Sequence, residues 1–327
     1  MLEQKTVLIT GGTGSFGSNF ARYLLANYNL KKLIIFSRDE RKQFDLQKEL
    51  QDKRVRFFLG DVRDLPRLQR AFKGVDIVIH AAALKHIPIL EYNPFEAVQT
   101  NILGSQNVIN AAIDQGVAKV LLISTDKAAH PVNLYGSTKL CAEKLFINGN
   151  FYASDATRLA CVRYGNVIGS RGSIVETLLN KAHAEQVCIT HEGMTRFWIS
   201  LEQAFNLVLF ALENMDGGEI FIPKIPSMKL VDLFEALAPG VERTVSGIRP
   251  GEKLHEVLLT KEEARRAYEV DKYFVILPEF ENKDIQLENR FEKYVKNGTK
   301  LHDEFYYSSD SNTHWFTIED FRKMYKK

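Results

Sequence analysis

Two short runs carry residue types suited to proton transfer. In Tyr135-Gly136-Ser137-Thr138-Lys139 a phenol and an amine stand four residues apart, which on a helix is a single face. An ammonium beside a phenol favours the phenolate and makes it a usable base for an alcohol near neutral pH. Just upstream, Ser124-Thr125-Asp126-Lys127 follows an apolar, strand-like run. Thr125 is placed to donate a hydrogen bond to the same alcohol oxygen as Tyr135. Taken alone, the tyrosine-lysine spacing also suits a solvated helix face, and Asp126-Lys127 suits a surface ion pair. Position within the fold has to decide.

The start of the chain supplies that position. Directly after the apolar run KTVLIT come Gly11-Gly12-Thr13-Gly14-Ser15-Phe16-Gly17, then a helical pattern from Phe16. Glycines there permit positive φ and close backbone approach to a pyrophosphate, and a helix N-terminus offers unpaired N–H groups. Strand, glycines and helix together predict a dinucleotide cradle rather than a plain turn. About 20 residues on, where an NAD site places an acidic residue, stand Ser37 and Arg38, with Arg41 and Lys42 one turn later. A small hydroxyl and a guanidinium suit a 2′-phosphate, so NADP is the expected cofactor. Asp39 and Glu40 lie in the same stretch and leave open a simple charged surface turn. Asp61 and Val62 are expected to bracket the adenine, and Ala81 to Ala83 to leave room for the cofactor.

These groups need a scaffold, and the hydrophobic rhythm gives one. KTVLIT, KLIIFS, VRFFLGD, DIVIHAA, KVLLIST and LACVRYGNV alternate with segments of helical period, including a long one from Pro94 to Gln115 and one from Asn133, a plausible N-cap. The latter carries Leu134, Leu140, Leu145 and Phe146 as its expected apolar face. That order predicts an α/β fold, a doubly wound parallel Rossmann sheet. The strands lack polar alternation, as expected where helices cover both faces. Beyond Gly169 the elements shorten, predicting a smaller mixed α/β substrate-binding domain. The expected division is 1–168 plus about 197–222 for the NADP-binding domain, and about 169–196 plus 223–327 for the second. The tail with Tyr306, Tyr307, Ser308, Ser309 and Trp315 suits either core packing or a subunit contact.

Composition narrows the function classes. With 327 residues, 45% hydrophobic and 26% charged, the chain has material for a large core. A net charge of +2 argues against nucleic acid or an anionic membrane as the main partner. No apolar run has the length of a membrane span, and nothing at the start reads as an export signal. Cys141, Cys161 and Cys188 form no paired motif and read as reduced, buried thiols of a cytoplasmic protein. The eight histidines show no ligand spacing, so no metal is expected; His80 and His86 read as structural.

At this point a resemblance becomes visible. TGGTGSFG, SRDERKQ, GDVRD, HAAALKHIPILEYNP, STDKAAHPVNLYGSTK, VRYGNVIGSRGS, MTRFW and GIRPGEKLHE together resemble the inverting UDP-N-acetylglucosamine 4,6-dehydratases of pseudaminic acid (flagellin glycosylation) biosynthesis, a branch of the extended short-chain dehydrogenase/reductases. The likeness runs from Thr10 to about Trp315. It implies that Tyr135, beside Lys139 and Thr125, takes the proton of the sugar 4-hydroxyl while hydride leaves C4 for NADP. Lys127 matches the base that removes the C5 proton, which the 4-ketone has made acidic. Asp126 matches the acid that helps expel the C6 hydroxyl as water. Hydride then returns to C6, C5 is reprotonated from the opposite face, and the cofactor is recycled. Lys127 acts as a base only when neutral, a state expected from burial and from the charges of Lys139 and nicotinamide.

The same resemblance implies contacts from Lys85 and Thr100 to cofactor and sugar, and from Asn166 and Val167 to diphosphate or sugar hydroxyls. Arg171, Thr195 and Arg196 would line the nucleotide cleft, and Arg249 and Glu252 would hold the diphosphate and the uridine ribose. A homo-oligomer, hexamer or dimer, is implied as well. A sugar-nucleotide epimerase would keep Tyr135 and Lys139 without needing Asp126 and Lys127. A non-catalytic dinucleotide sensor would more often have lost the tyrosine or the lysine.

Overall fold

The computed structural model describes residues 1–153, 156–169, 175, 186–279 and 290–325. Its centre is a ten-stranded sheet. The first strands in chain order run parallel: β1 (Thr6–Thr10), β2 (Lys32–Ser37), β3 (Val55–Leu59), β4 (Ile77–His80), β5 (Lys119–Ile123) and β6 (Arg158–Val162). They lie in the order β3-β2-β1-β4-β5-β6, so the direction of winding reverses beside β1. Ligands of such sheets sit in the crevice at the carboxyl ends of the strands at that switch point. All five residues of β1 are buried, because helices cover both faces.

Helix N-caps agree with local chemistry. Asp39, Asp64 and Asn133 each accept a backbone N–H of their own helix's first turn, as capping oxygens do. The expected long helix from Pro94 forms, but residues Val98–Leu103 are π-helical before the α-helix Gly104–Asp114. Asn101 in that segment bonds the Leu84 backbone and the Thr138 hydroxyl, tying the β4 loop to the tyrosine-bearing helix.

That helix, Leu134–Gly149, differs from expectation. Its buried face is Gly136, Thr138, Lys139, Ala142, Glu143, Phe146, Ile147 and Gly149, while Leu134, Leu140 and Leu145 are only half-buried. Packing against β5 and β6 needs small residues there, and polar ones are carried by a network. Arg163, wholly buried, joins Glu143 at 2.6 Å to Glu263 at 2.8 Å, and Ser124 Oγ donates to Glu143.

The sheet continues beyond β6. Ile220–Pro223 runs parallel to β6, and Tyr273–Ile276, Ala267–Val270 and Thr299–Lys300 add to it antiparallel. The segment after 222 is therefore shared between the large sheet and a smaller unit. The smaller unit has its own apolar core around Met194, Trp198, Met228, Leu233, Phe234 and Phe321. In the tail, Tyr307 is buried against Phe197 and donates its hydroxyl hydrogen to Ile225 O, so its ring belongs to the core. Of the cysteines, Cys161 is buried, Cys141 half-buried and Cys188 exposed, and none of the three is in a disulfide among the described residues. No helix of the described residues is long and apolar enough to cross a membrane.

Candidate active site

A cleft of about 780 Å³ opens at the carboxyl ends of β1, β4 and β5. One wall is the glycine turn: Gly11, Thr13, Gly14, Ser15, Phe16 and Gly17 all line it. Gly11 has φ +65°, and a Cβ there would stand 2.8 Å from the Ala82 backbone. A Cβ on Gly17 would stand 2.6 Å from Gly11 O. Helix Ser15–Asn27 begins at Gly14 with no side-chain cap, and Ser15, Phe16 and Gly17 of its first turn line the cleft. This is a cradle only glycine permits, and it fits a dinucleotide pyrophosphate.

The 2′-phosphate candidates separate. Arg38 and Lys42 line the cleft. Arg38 lies 3.8 Å from Asp61 and Lys42 2.9 Å from Asp39. Ser37 is buried behind them, its oxygen accepting from Gln43. Arg41 is turned away, 79% exposed and paired with Asp45; one helical residue beyond Glu40, it falls on the outer face. Asp61 is outside the lining, its carboxylate held by Arg63 and kept below the usual range because Arg63 and Arg38 outweigh the opposing effect of burial. Val62 packs under Gly104. Ala81 and Lys85 line the cleft, whereas Thr100 is buried outside it with its hydroxyl unbonded.

Thr125, Lys127, Tyr135 and Lys139 meet on the opposite wall. The 3₁₀ turn Asp126–Ala128 follows β5, and Gly136 packs against it so closely that a Cβ would be 2.2 Å from Lys127 O. That contact brings the tyrosine's helix onto the turn. Tyr135 hydrogen bonds with the Thr125 side chain; burial pushes its phenol up to about 12, Asp126 adds to this, and Lys127 and the Thr125 bond oppose it. Thr125 Oγ1 donates to Asp126 Oδ1 at 2.8 Å. Lys139 Nζ donates to Ile123 O at 2.8 Å, and burial lowers its amine to about 8, against the pull of Glu143. The cation acting on the phenol is thus Lys127, rather than Lys139.

Lys127 itself departs from expectation. Burial works against its charge, but Asp126 at 3.0 Å and Glu256 at 3.4 Å outweigh it. The amine is held well above the ordinary lysine range, as an ammonium, not as the neutral amine expected. Asp126 is fully buried, and its Oδ2 has no partner.

Of the substrate candidates, Asn166 and Val167 line the cleft beside Tyr164 and Gly165. Arg196 points inward, bonding Thr195 O, Leu254 O and Lys253 O. Thr195 bonds His255 and Ser309. Both serve the packing of the Lys253–Glu256 loop instead of facing the cleft. Arg249 is exposed outside the cleft, and Glu252 closes that loop's turn by accepting from Arg249 N. Arg171 lies outside the described residues. His80, bonded to Thr10 and Ser105, is lowered to about 3 by burial and by Lys139, so it stays neutral. Two further residues belong to the site: Tyr164, which burial raises and which neighbours Tyr135, and Glu256 beside Lys127; they lie in the RYGN and GEKLHE runs.

Residues 7–278 match the family model described as polysaccharide biosynthesis protein. The chain belongs to this family. Among its relatives is the UDP-N-acetylglucosamine 4,6-dehydratase (inverting) of Campylobacter jejuni subsp. jejuni serotype O:2, 50% identical, the alignment covering 96% of this chain and 95% of that one. A UDP-glucose 4-epimerase of Rickettsia akari is 39% identical over 99% of this chain and 96% of its own. The X-ray structure of Pen from Bacillus thuringiensis superposes with a TM-score of 0.89 at 37% identity, covering 99% of this chain and 98% of that one. The polysaccharide biosynthesis family thus carries the resemblance seen in the motifs, and this member has the extended short-chain dehydrogenase/reductase architecture.

Proposed function

We propose that the protein is an NADP-dependent enzyme that removes water across C4–C6 of UDP-N-acetylglucosamine with inversion at C5, giving UDP-2-acetamido-2,6-dideoxy-β-L-arabino-hex-4-ulose. The observation that carries this reading is the convergence of Thr125, Asp126, Lys127 and Tyr135 beside the glycine cradle, together with 50% identity to an enzyme of that name. A bound nicotinamide would supply the hydride acceptor and donor. Tyr135 takes the 4-hydroxyl proton, with Thr125 holding the same oxygen and Lys139 near the cofactor. Lys127 removes the C5 proton. Asp126, its second oxygen unpartnered, assists loss of the 6-hydroxyl. The product would enter pseudaminic acid biosynthesis at its first step.

The test is incubation with UDP-N-acetylglucosamine in deuterated water, read by mass and NMR. A 4-keto-6-deoxy product with deuterium at C5, formed without consuming added NADP, is expected. The 39% identical epimerases favour a second reading, in which only the C4 configuration changes and no water is lost; a product of unchanged mass bearing no deuterium would establish it and overturn the first.

Arg38 supports the choice of NADP. Arg38→Ala is expected to weaken NADP binding about 10- to 100-fold, the loss of a charge-assisted phosphate contact, and to leave NAD binding nearly unchanged. Equal losses for both cofactors, measured by calorimetric titration, would refute the phosphate role. The homo-oligomer belongs to the same proposal: Tyr92, Phe95 and Leu103 are exposed within the segment 92–103, and large exposed apolar groups close together suit a protein contact. Light scattering that finds only a monomer at micromolar concentration would remove it.

A further inference from the structure

Lys127 sits between two carboxylates from different parts of the chain. Asp126 is its neighbour in the turn after β5; Glu256 arrives from the far loop that precedes strand Val257–Leu259. Glu256 is 3% exposed and lies outside the cleft lining, behind the amine. Its backbone is fixed by the tail: Glu256 N donates to Ser309 Oγ, and Ser309 N donates to Glu256 O. The loop is also fastened to the catalytic turn, since Lys253 Nζ donates to Ala129 O at 2.7 Å.

We infer that Glu256 is a positioning residue for Lys127: its buried carboxylate anchors the Lys127 ammonium at the rim of the cleft and sets the pH at which the amine becomes available as a base. The last clause rests on the reaction proposed above. Glu256 Oε1 faces Lys127 Nζ at 3.4 Å and Arg196 Nε at 3.8 Å, and its Oε2 faces Lys253 Nζ at 3.6 Å. Oε2 is buried without a hydrogen-bond partner. Burying a carboxylate with an oxygen short of a donor is unfavourable, and packing alone would be served as well by a neutral glutamine. What the carboxylate adds is charge. Around it stand three cations, Lys127, Lys253 and Arg196, and near them Asp126, Glu252 and the Tyr135 phenol. Removing the one carboxylate that faces all three cations leaves them repelling one another. The sign follows: Lys127 then sheds its proton at lower pH.

Competitive acetylation with trace acetic anhydride reads this directly, because only the neutral amine reacts, and mass spectrometry follows the Lys127 peptide against pH. In E256Q the labelling midpoint of Lys127 is expected to fall by about one to three pH units, the usual effect of losing a close opposite charge. E256D keeps the charge at greater distance, and its midpoint should lie between wild type and E256Q. Deuterium entry at C5 should shift along the pH axis in step with labelling, whereas loss of a structural prop would lower it at every pH alike. Midpoints for both variants equal to that of wild type would overturn the inference; should E256Q fail to fold, E256D alone decides, a lower midpoint supporting it and an unchanged one overturning it. Labelling needs no substrate, so failure of the proposed reaction would show separately, as wild-type protein that leaves UDP-N-acetylglucosamine intact.

Discussion

Lys127→Ala is expected to cut deuterium entry at C5 by about 10²- to 10⁴-fold, the contribution of a positioned general base, while oxidation at C4 continues. The split follows from position. Tyr135 and its Thr125 partner stay on the helix and strand end, so the alcohol still loses its proton and the absorbance of reduced nicotinamide should rise and persist in a single turnover. Without the amine the ketone's neighbouring hydrogen has no acceptor, and neither water loss nor product formation follows. In the wild type, Asp126 and Glu256 hold the amine protonated. Its neutral fraction therefore grows as pH rises, and C5 exchange should climb with pH. Removing the amine also leaves Asp126 and Glu256 without their shared cation, so Lys127→Arg, which keeps a cation that does not deprotonate, serves as the control for folding. A Lys127→Ala enzyme that dehydrates at the normal rate would refute the assignment.

Tyr135→Phe is expected to stop the sequence one step earlier. Loss of the proton acceptor should lower C4 oxidation by about 10²- to 10⁴-fold. Unlike Lys127→Ala, this variant should show no transient reduced nicotinamide. C5 exchange should vanish too, because that hydrogen is acidic only next to the ketone. Burial pushes the phenol up to about 12, too high for useful phenolate at neutral pH. An added positive charge favours the phenolate, so binding of the oxidised cofactor should move the phenol's titration, followed by phenolate absorbance, to lower pH. A phenol titration that cofactor binding leaves unmoved would count against Tyr135 as the base.

Several features of this protein were legible in the chain. Glycines between a buried strand and a helix predicted the cradle, since only residues without Cβ tolerate contacts of 2.6 to 2.8 Å. The tyrosine-lysine spacing predicted a shared face because helical period is a local property. The parallel sheet followed from the alternation of strand-like runs with segments of helical period. Misreadings concern side chains whose direction is set by remote partners. Arg196 was expected to line the nucleotide cleft, and it instead donates to the Lys253, Leu254 and Thr195 carbonyls. Arg41 followed its helix outward. The leucines of helix Leu134–Gly149 were assigned inward by hydrophobicity, although the buried face is small and polar, which only the Arg163–Glu143 network makes tolerable.

The sequence by itself determined the scaffold, the cradle and the residue types around the cleft, because those depend on backbone conformation, period and local spacing. Tertiary structure alone decided the charge state of the amine at 127. Its second carboxylate lies 129 residues further along the chain (256 minus 127), and electrostatic energy depends on distance through space and on the exclusion of water, neither of which is written in sequence separation.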